Sequence, residues 1–119
     1  MIIGLYEETH NWGKTVALWQ QLGFVLQFET DHHSGQLVHP DGGPYVFVAE
    51  RPATDELLRY PILHVEDSTT FESPAAASVA KDWVPEHWGV MEMHLANADG
   101  RLLSLQAPLP NGVTAPSGH

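Results

Sequence analysis

The chain has 119 residues, of which 43% are hydrophobic and none is cysteine, so it suffices for one folded domain and excludes disulfides, thiolate catalysis and thiolate metal sites. Fifteen acidic residues against five basic ones give a net charge of −10 with neutral histidines, which disfavours nucleic acid and anionic lipid as partners and favours cationic or neutral ligands. No apolar run reaches the roughly 18 residues that cross a bilayer, and no signal peptide is recognisable, so we expect no membrane partner and a cytoplasmic protein.

The first half of the sequence predicts a strand, a helix and three further strands. Aromatic and branched residues indicate strands over residues 2–7, 24–29, 36–39 and 45–49. The helix begins after Thr9 or Asn11 as N-cap and carries an apolar stripe at i, i+3, i+4 and i+7, formed by Thr15, Leu18, Trp19 and Leu22. Gly23 follows the stripe directly, at the position of a left-handed C-terminal cap.

The second half predicts a similar series of elements. Strands are indicated over residues 62–66, 90–95 and 101–106, and an alanine-rich helix over residues 74–81 begins at Pro74 after Ser73 as N-cap. Residues 109–119 are rich in proline and glycine and have no periodicity, which predicts a loose C-terminal tail.

The two halves resemble each other at a nearly constant offset. Residues 2–7 align with residues 62–67, an offset of 60, and residues 39–42 align with residues 97–100, an offset of 58. Asp-Gly turns are common enough for chance to be the alternative. The repeat nevertheless favours duplication of one βαβββ unit, with modules at about 1–52 and 60–108 inside a single domain over residues 1–108.

Several short motifs, taken in order, are similar to those of the vicinal oxygen chelate superfamily. That superfamily contains glyoxalase I, bleomycin-resistance proteins and extradiol dioxygenases. The segments concerned are residues 17–24 (the helix end, Leu22-Gly23-Phe24), 37–48 (the third and fourth strands, with Pro40-Asp41-Gly42), 63–67, 88–89 and 97–101. The resemblance implies an α+β fold of two βαβββ modules that form a cupped mixed sheet, usually in a homodimer. Only 21 residues lie between Asp67 and Gly89 (89 − 67 − 1), so the second module is expected to be shortened.

Strand alternation divides the second module into a core face and a cup face. The resemblance implies that Leu63 and Val65 face the helix side, and strand alternation extends this assignment to the neighbouring strands. The face assigned in this way is entirely apolar, which supports its prediction as the core. Its members are Pro61, Leu63, Val65, Met91, Met93, Leu95, Leu103 and Leu105. The other face is predicted to line the cup, with Tyr60, Ile62, His64, Glu66, Val90, Glu92, His94, Leu102, Ser104 and Gln106.

The resemblance places the superfamily's divalent metal at the starts of the first and fifth strands and on the fourth and eighth. In this sequence the fifth- and eighth-strand positions fall on Tyr60 and Ser104, Glu50 lies near the fourth-strand position, and the first-strand position falls before Met1. This is not the imidazole and carboxylate set that a catalytic ion needs, so no cofactor is expected. The alternative is a relocated metal site formed by His64, Glu92 and His94.

These observations predict a metal-free small-molecule-binding protein that resembles the drug-sequestering bleomycin-resistance proteins, and hence an antibiotic-resistance role rather than an enzyme. The alternatives are a metal-dependent glyoxalase- or dioxygenase-type lyase or oxidoreductase that uses the relocated site, and a protein whose cup serves assembly only. The ligand is expected to be a small organic molecule, cationic or aromatic. The predicted ligand-binding residues are Tyr60, His64, Glu66, Trp88, Glu92, His94, Ser104 and Gln106.

Overall fold

The computed structural model describes residues 1–117, which form one helix and eight strands in two compact units. Residues 118 and 119 of the predicted tail lie outside the described residues. The elements are β1 (Ile2–Thr9), α1 (Trp12–Gln21), β2 (Val25–Glu29), β3 (Ser34–Val38), β4 (Tyr45–Glu50), β5 (Arg59–His64), β6 (Ser78–Pro85), β7 (Val90–Ala96) and β8 (Leu102–Pro108). Helix α1, the one helix over residues 1–117, is not long and apolar enough to span a membrane.

The N-terminal unit, Ile3–Pro61, is a four-stranded sheet with a helix on one face. The strand order is β2-β3-β4-β1, with β1 parallel to β4 and the other two pairs antiparallel. Its core contains Leu37, Val46 and Val48 from β3 and β4, packed with Val16 of the helix. Alternation along β3 and β4 therefore places these three side chains on the helix side of the sheet.

Helix α1 starts as predicted but packs through a different stripe. The Asn11 side chain caps it by accepting from the Lys14 backbone N–H at 3.0 Å, and Gly23 has the left-handed φ of 98° expected just beyond its end. The predicted stripe is partly wrong, because Leu18 and Leu22 are 54% and 59% exposed. The sheet is contacted instead by Trp12, Val16 and Trp19, which lie at i, i+4 and i+7. A helix of 10 residues buries one narrow side, and in α1 the buried side contains Val16.

The C-terminal unit, Met1–Ile2 with Ile62 onward, repeats the connectivity of the first. Its strand order is β5-β8-β7-β6, with β5 parallel to β8 and the other pairs antiparallel. Numbered from the start of each unit, the orders are 2-3-4-1 and 1-4-3-2, which are the same order read from opposite edges. The mixed sheet that the resemblance implies is thus confirmed, and the two units repeat one strand connectivity.

The predicted helix over residues 74–81 is wrong. Residues 74–77 form a turn closed by the Ala77 N–H to the Pro74 carbonyl at 3.1 Å, and β6 begins at Ser78. Alanine favours a helix only weakly, and the pairing of β6 with β7 together with the partial burial of Trp83 outweighs that preference. The second module is therefore shortened by loss of its helix, while its sixth strand keeps eight residues.

Turn and strand residues cover the second core where a helix covers the first. Met93, Leu95 and Leu105 are buried there, with Phe71, Ala77 and Trp83 packed against them. The Phe71 and Trp83 rings meet edge to face with centroids 5.9 Å apart. Of the core residues predicted from alternation, Met93 and Leu105 are buried in this cluster, Leu63, Val65 and Leu103 pack against it, and Met91 is half-buried.

Candidate functional site

Four of the predicted ligand-binding residues meet on the face of the C-terminal unit that lies opposite its core. Glu92 is at the centre: its Oε2 accepts from Ser104 Oγ at 2.8 Å and from Gln106 Nε2 at 3.4 Å, and its Oε1 lies 3.5 Å from His94 Nε2. Lys81 of β6 completes the group, with Nζ 2.8 Å from Glu92 Oε1 and 3.0 Å from Glu86 Oε1. We call Lys81, Glu92, His94, Ser104 and Gln106 the Glu92 cluster.

The Glu92 carboxylate is buried and held ionised by its own neighbours in the fold. Burial opposes its ionisation, but hydrogen bonds from His94, Lys81 and Ser104 and the positive charge of Lys81 more than offset that cost and lower the pKa of Glu92 from 4.5 to about 2. Glu92 is only 7% exposed, and Ser104 is fully buried. Both carboxylate oxygens already have donors, so a ligand cation would have to displace Lys81. The cluster therefore has the character of a structural ion pair.

Lys81 is the member of this cluster that sequence reasoning missed. It lies in the segment predicted as a helix, whereas the structure pairs it opposite His94 across the β6–β7 ladder. Residues 81–85 read Lys-Asp-Trp-Val-Pro and have no apolar alternation, so the sequence offers no signal for this pairing. The alternation of less exposed Lys81, Trp83 and Pro85 with exposed positions is a feature of the structure alone.

The other predicted site residues are dispersed. His64 is half-exposed and pairs in register with Gln106, while the Glu66 side chain 3.6 Å from it is 95% exposed. Trp88 is half-exposed in the turn before β7, edge to face with His87 at 4.9 Å. Tyr60 belongs to the N-terminal unit.

The three residues predicted for a relocated metal site are not brought together as a ligand group. Over residues 1–117, no three His, Asp or Glu side chains lie close enough together to hold an ion, so His64, Glu92 and His94 do not form a relocated site. The positions to which the resemblance pointed are otherwise engaged. Ser104 is buried and donates to Glu92, and Glu50 accepts from the Trp12 N–H at 2.9 Å and pairs with His33 Nδ1 at 3.0 Å.

A row of aromatic rings crosses the sheet of the N-terminal unit on the face opposite α1. Tyr60 stacks on Tyr6 with centroids 4.8 Å apart and planes at 29°, and Tyr6 stacks on Phe47 at 6.2 Å and 13°. Phe28 continues the row at 6.3 Å from Phe47. The register explains the alignment, because Tyr6 pairs with Phe47, Phe47 with Gln36, and Gln36 with Phe28. We call Tyr6, Phe28, Phe47 and Tyr60 the aromatic row.

Tyrosine hydroxyls and a carboxylate give this apolar face a polar end. Tyr6 OH donates to Glu8 Oε2 at 2.7 Å, and the Leu58 N–H donates to Glu8 Oε1 at 2.9 Å. Burial raises the pKa of Tyr6, and the hydrogen bond to Glu8 and the negative charge of Glu8 raise it further, so the phenol stays a neutral donor. Tyr45 lies on the same face, with its ring over Gly4, where an added Cβ atom would approach the ring to 2.5 Å. All three tyrosines of the protein thus lie on one face.

Comparison with known structures identifies the fold. A glyoxalase/bleomycin resistance protein/dioxygenase superfamily member from Vibrio splendidus 12B01 superposes with a TM-score of 0.61 at 14% identity, over 87% of this chain and 96% of that one. The chain has the glyoxalase/bleomycin-resistance fold. No protein-family model and no curated protein matches its sequence.

Two further structures superpose more loosely. The bleomycin resistance determinant encoded on transposon Tn5 gives a TM-score of 0.38 at 19% identity, over 88% of this chain and 95% of that one. A bleomycin-binding protein in complex with bleomycin gives 0.37 at 18% identity, over 87% and 95%. The assignment of the glyoxalase/bleomycin-resistance fold therefore rests on the Vibrio splendidus structure.

Proposed function

We propose that this protein binds a small planar organic molecule on the aromatic row, without a metal ion and without chemistry. The observation that supports it is the line of four neighbouring aromatic rings on the helix-free face of the N-terminal unit. Phe28 is 46% exposed and Phe47 and Tyr6 are half-buried, so the row presents a partly exposed aromatic surface, in which the Tyr6 and Phe47 planes lie within 13° and the Phe28 ring is tilted by 54° from Phe47. Flat aromatic ligands gain about 0.5–1.5 kcal/mol for each well-stacked ring beyond the burial of apolar area.

Charge supports a cationic ligand over an anionic one. The net charge is −10, and the Glu8 carboxylate stands at the tyrosine end of the aromatic row. A cation over an aromatic face gains about 0.5–1 kcal/mol at an exposed site, and more where it is desolvated. Glu8 rather than Glu92 is the counter-charge in this proposal, because Glu92 is already neutralised by Lys81.

The proposed role is that of a cytoplasmic drug-sequestering protein, similar in kind to bleomycin-resistance proteins. Sequestration requires only affinity for the ligand, so it needs no nucleophile and no acid–base pair. The enzyme alternative has no comparable support, since the carboxylate it would use is bound by Lys81 and Ser104.

The test is a titration with two planar probes of almost the same shape, the cation N-methylacridinium and neutral acridine, followed by probe fluorescence. Phe47→Leu removes the central ring of the row but keeps an apolar side chain, and we expect it to weaken both probes by about two- to twelvefold. Phe24→Leu is the matched control, because Phe24 packs on the helix side of the same unit against Trp19 and His39. Equal effects of the two variants, or no binding of either probe, would contradict the proposal.

The charge and metal parts of the proposal have their own controls. Glu8→Gln should weaken N-methylacridinium more than acridine, while Glu66→Gln, at a fully solvated carboxylate of the C-terminal unit, should affect neither. Elemental analysis of the purified protein should find no stoichiometric zinc, iron, manganese or nickel. Such a metal, lost in a His94→Ala variant, would support the enzyme alternative instead.

A further inference from the structure

Asn111 differs from the other two asparagines of the protein in its local structure. It lies beyond β8 in a turn over residues 110–113, closed by the Val113 N–H to the Pro110 carbonyl at 3.1 Å. Gly112, the next residue, has a left-handed φ of 83°. Asn111 is exposed, and over residues 1–117 its side chain makes no hydrogen bond.

The other two asparagines are held by the fold. Asn11 Oδ1 accepts from the Lys14 N–H at 3.0 Å as the helix cap, and the N–H that follows it, on Trp12, donates to Glu50 at 2.9 Å. Asn97 Oδ1 accepts from the Asp99 and Arg101 N–H groups, both at 3.0 Å. Each side chain is thereby fixed in an orientation that its own hydrogen bonds determine.

We propose that Asn111 is a site of spontaneous modification, which converts it to aspartate and isoaspartate. The Gly112 backbone nitrogen attacks Cγ of Asn111, the carbonyl carbon of the amide, and gives up its proton to solvent. The new bond between that nitrogen and Cγ closes a five-membered succinimide, and the bond between Cγ and Nδ2 breaks to release ammonia. One water then opens the ring at either carbonyl, so the reaction consumes water, releases ammonia and involves no oxidant.

Glycine at position 112 is what makes this attack accessible. It has no side chain to shield the attacking nitrogen, and it reaches backbone angles closed to other residues. At Asn11 and Asn97 the following residues are Trp12 and Ala98, whose side chains crowd the nitrogen. The product adds a negative charge to a protein that already carries −10, and the isoaspartate form lengthens the backbone of the turn by one methylene.

Trypsin separates the three asparagines, which makes the test internal to one sample. Cleavage after Lys14, Lys81 and Arg101 places Asn11 in residues 1–14, Asn97 in residues 82–101 and Asn111 in residues 102–119. The folded full-length protein is aged in mildly alkaline buffer and then digested briefly in mild acid. We expect the 102–119 peptide to gain the mass difference between NH and O and to split into two isomers. This reaction should be at least about tenfold faster than in either of the other two peptides, which corresponds to a difference in activation free energy of about 1.4 kcal/mol.

Two variants tie the reaction to this turn. Asn111→Gln should abolish the mass change in the 102–119 peptide, because ring closure would then need a six-membered ring. Gly112→Ala should slow it at least about tenfold, again about 1.4 kcal/mol of barrier. Circular dichroism spectra that match the parent protein show that each variant is folded. Equal ageing of all three peptides, or an undiminished rate in Gly112→Ala, would overturn the proposal.

Discussion

Replacing Glu92 with glutamine tests the assignment of the Glu92 cluster as a structural ion pair. Lowering the pKa of Glu92 from 4.5 to about 2 corresponds to about 3 kcal/mol in favour of the folded state when the carboxylate is ionised. Glutamine keeps the shape and one acceptor for Ser104 but removes the charge, and Lys81 retains Glu86 at 3.0 Å. We therefore expect Glu92→Gln to lower the free energy of unfolding at neutral pH by about 2–3 kcal/mol.

The pH dependence of this loss has a defined sign. Because folding lowers the pKa of Glu92, its stabilisation is complete above about pH 4.5 and is lost as the pH falls toward about 2. The parent protein and Glu92→Gln should thus differ in urea unfolding at pH 7 and converge in acid. Glu66→Gln, the same substitution at a side chain 95% exposed, is the control and should change stability at neither pH.

Either of two results would refute this reasoning. One is a Glu92→Gln cost below about 0.5 kcal/mol at pH 7, the size of an ordinary surface substitution. The other is a cost that stays constant from pH 7 into acid, because a lost charge must produce a pH-dependent difference. A double-mutant cycle with Lys81→Met adds a direct measure, since the two residues should show a coupling energy of at least about 0.5 kcal/mol.

Leu105→Ala, at a side chain buried in the second core, should lower the free energy of unfolding in urea by about 2–5 kcal/mol. Leu103→Ala, at a less buried side chain, should lower it clearly less, and equal losses would contradict the packing described. Gly35→Ala should destabilise by about 1–3 kcal/mol, because its new carbon would lie against the Phe28 carbonyl oxygen. The same change at Gly13, exposed in α1, should instead raise the melting temperature, since alanine is the better helix former by about 1 kcal/mol. Light scattering at micromolar concentration should give twice the single-chain mass of 13.2 kDa, because the exposed apolar side chains Leu18 and Leu22 of α1 favour a homodimer. A measured mass near 13.2 kDa would exclude the homodimer.

Strands whose side chains alternate could be located from the sequence together with their buried face. Strand β7 is the clearest case: Val90–Ala96 was predicted over residues 90–95, and Met93 and Leu95 are buried as the alternation required. The same rule placed Glu92, His94, Ser104 and Gln106 on one face. These predictions succeed because the period of side-chain direction is a property of each strand alone.

Residues 74–81 show where local preference stops being informative. Alanine there favours a helix by less than about 1 kcal/mol a residue. The ladder with β7 and the contact between Trp83 and Phe71 depend on partners distant in sequence, and they make the segment a turn and a strand. The helix stripe failed for a similar reason, because the side of α1 that is buried depends on how the helix lies on the sheet.

The sequence by itself determined the repeated module, the positions of most strands and the face to which each strand directs its polar residues, because these follow from side-chain period, turn residues and the internal repeat. Only the tertiary structure decided what those residues do. Lys81 neutralises Glu92 through pairing across β6 and β7, and Tyr6, Phe28, Phe47 and Tyr60 form one row only because the strand registers align them. Strand register and long-range charge pairing arise from contacts between distant segments, which no local pattern specifies.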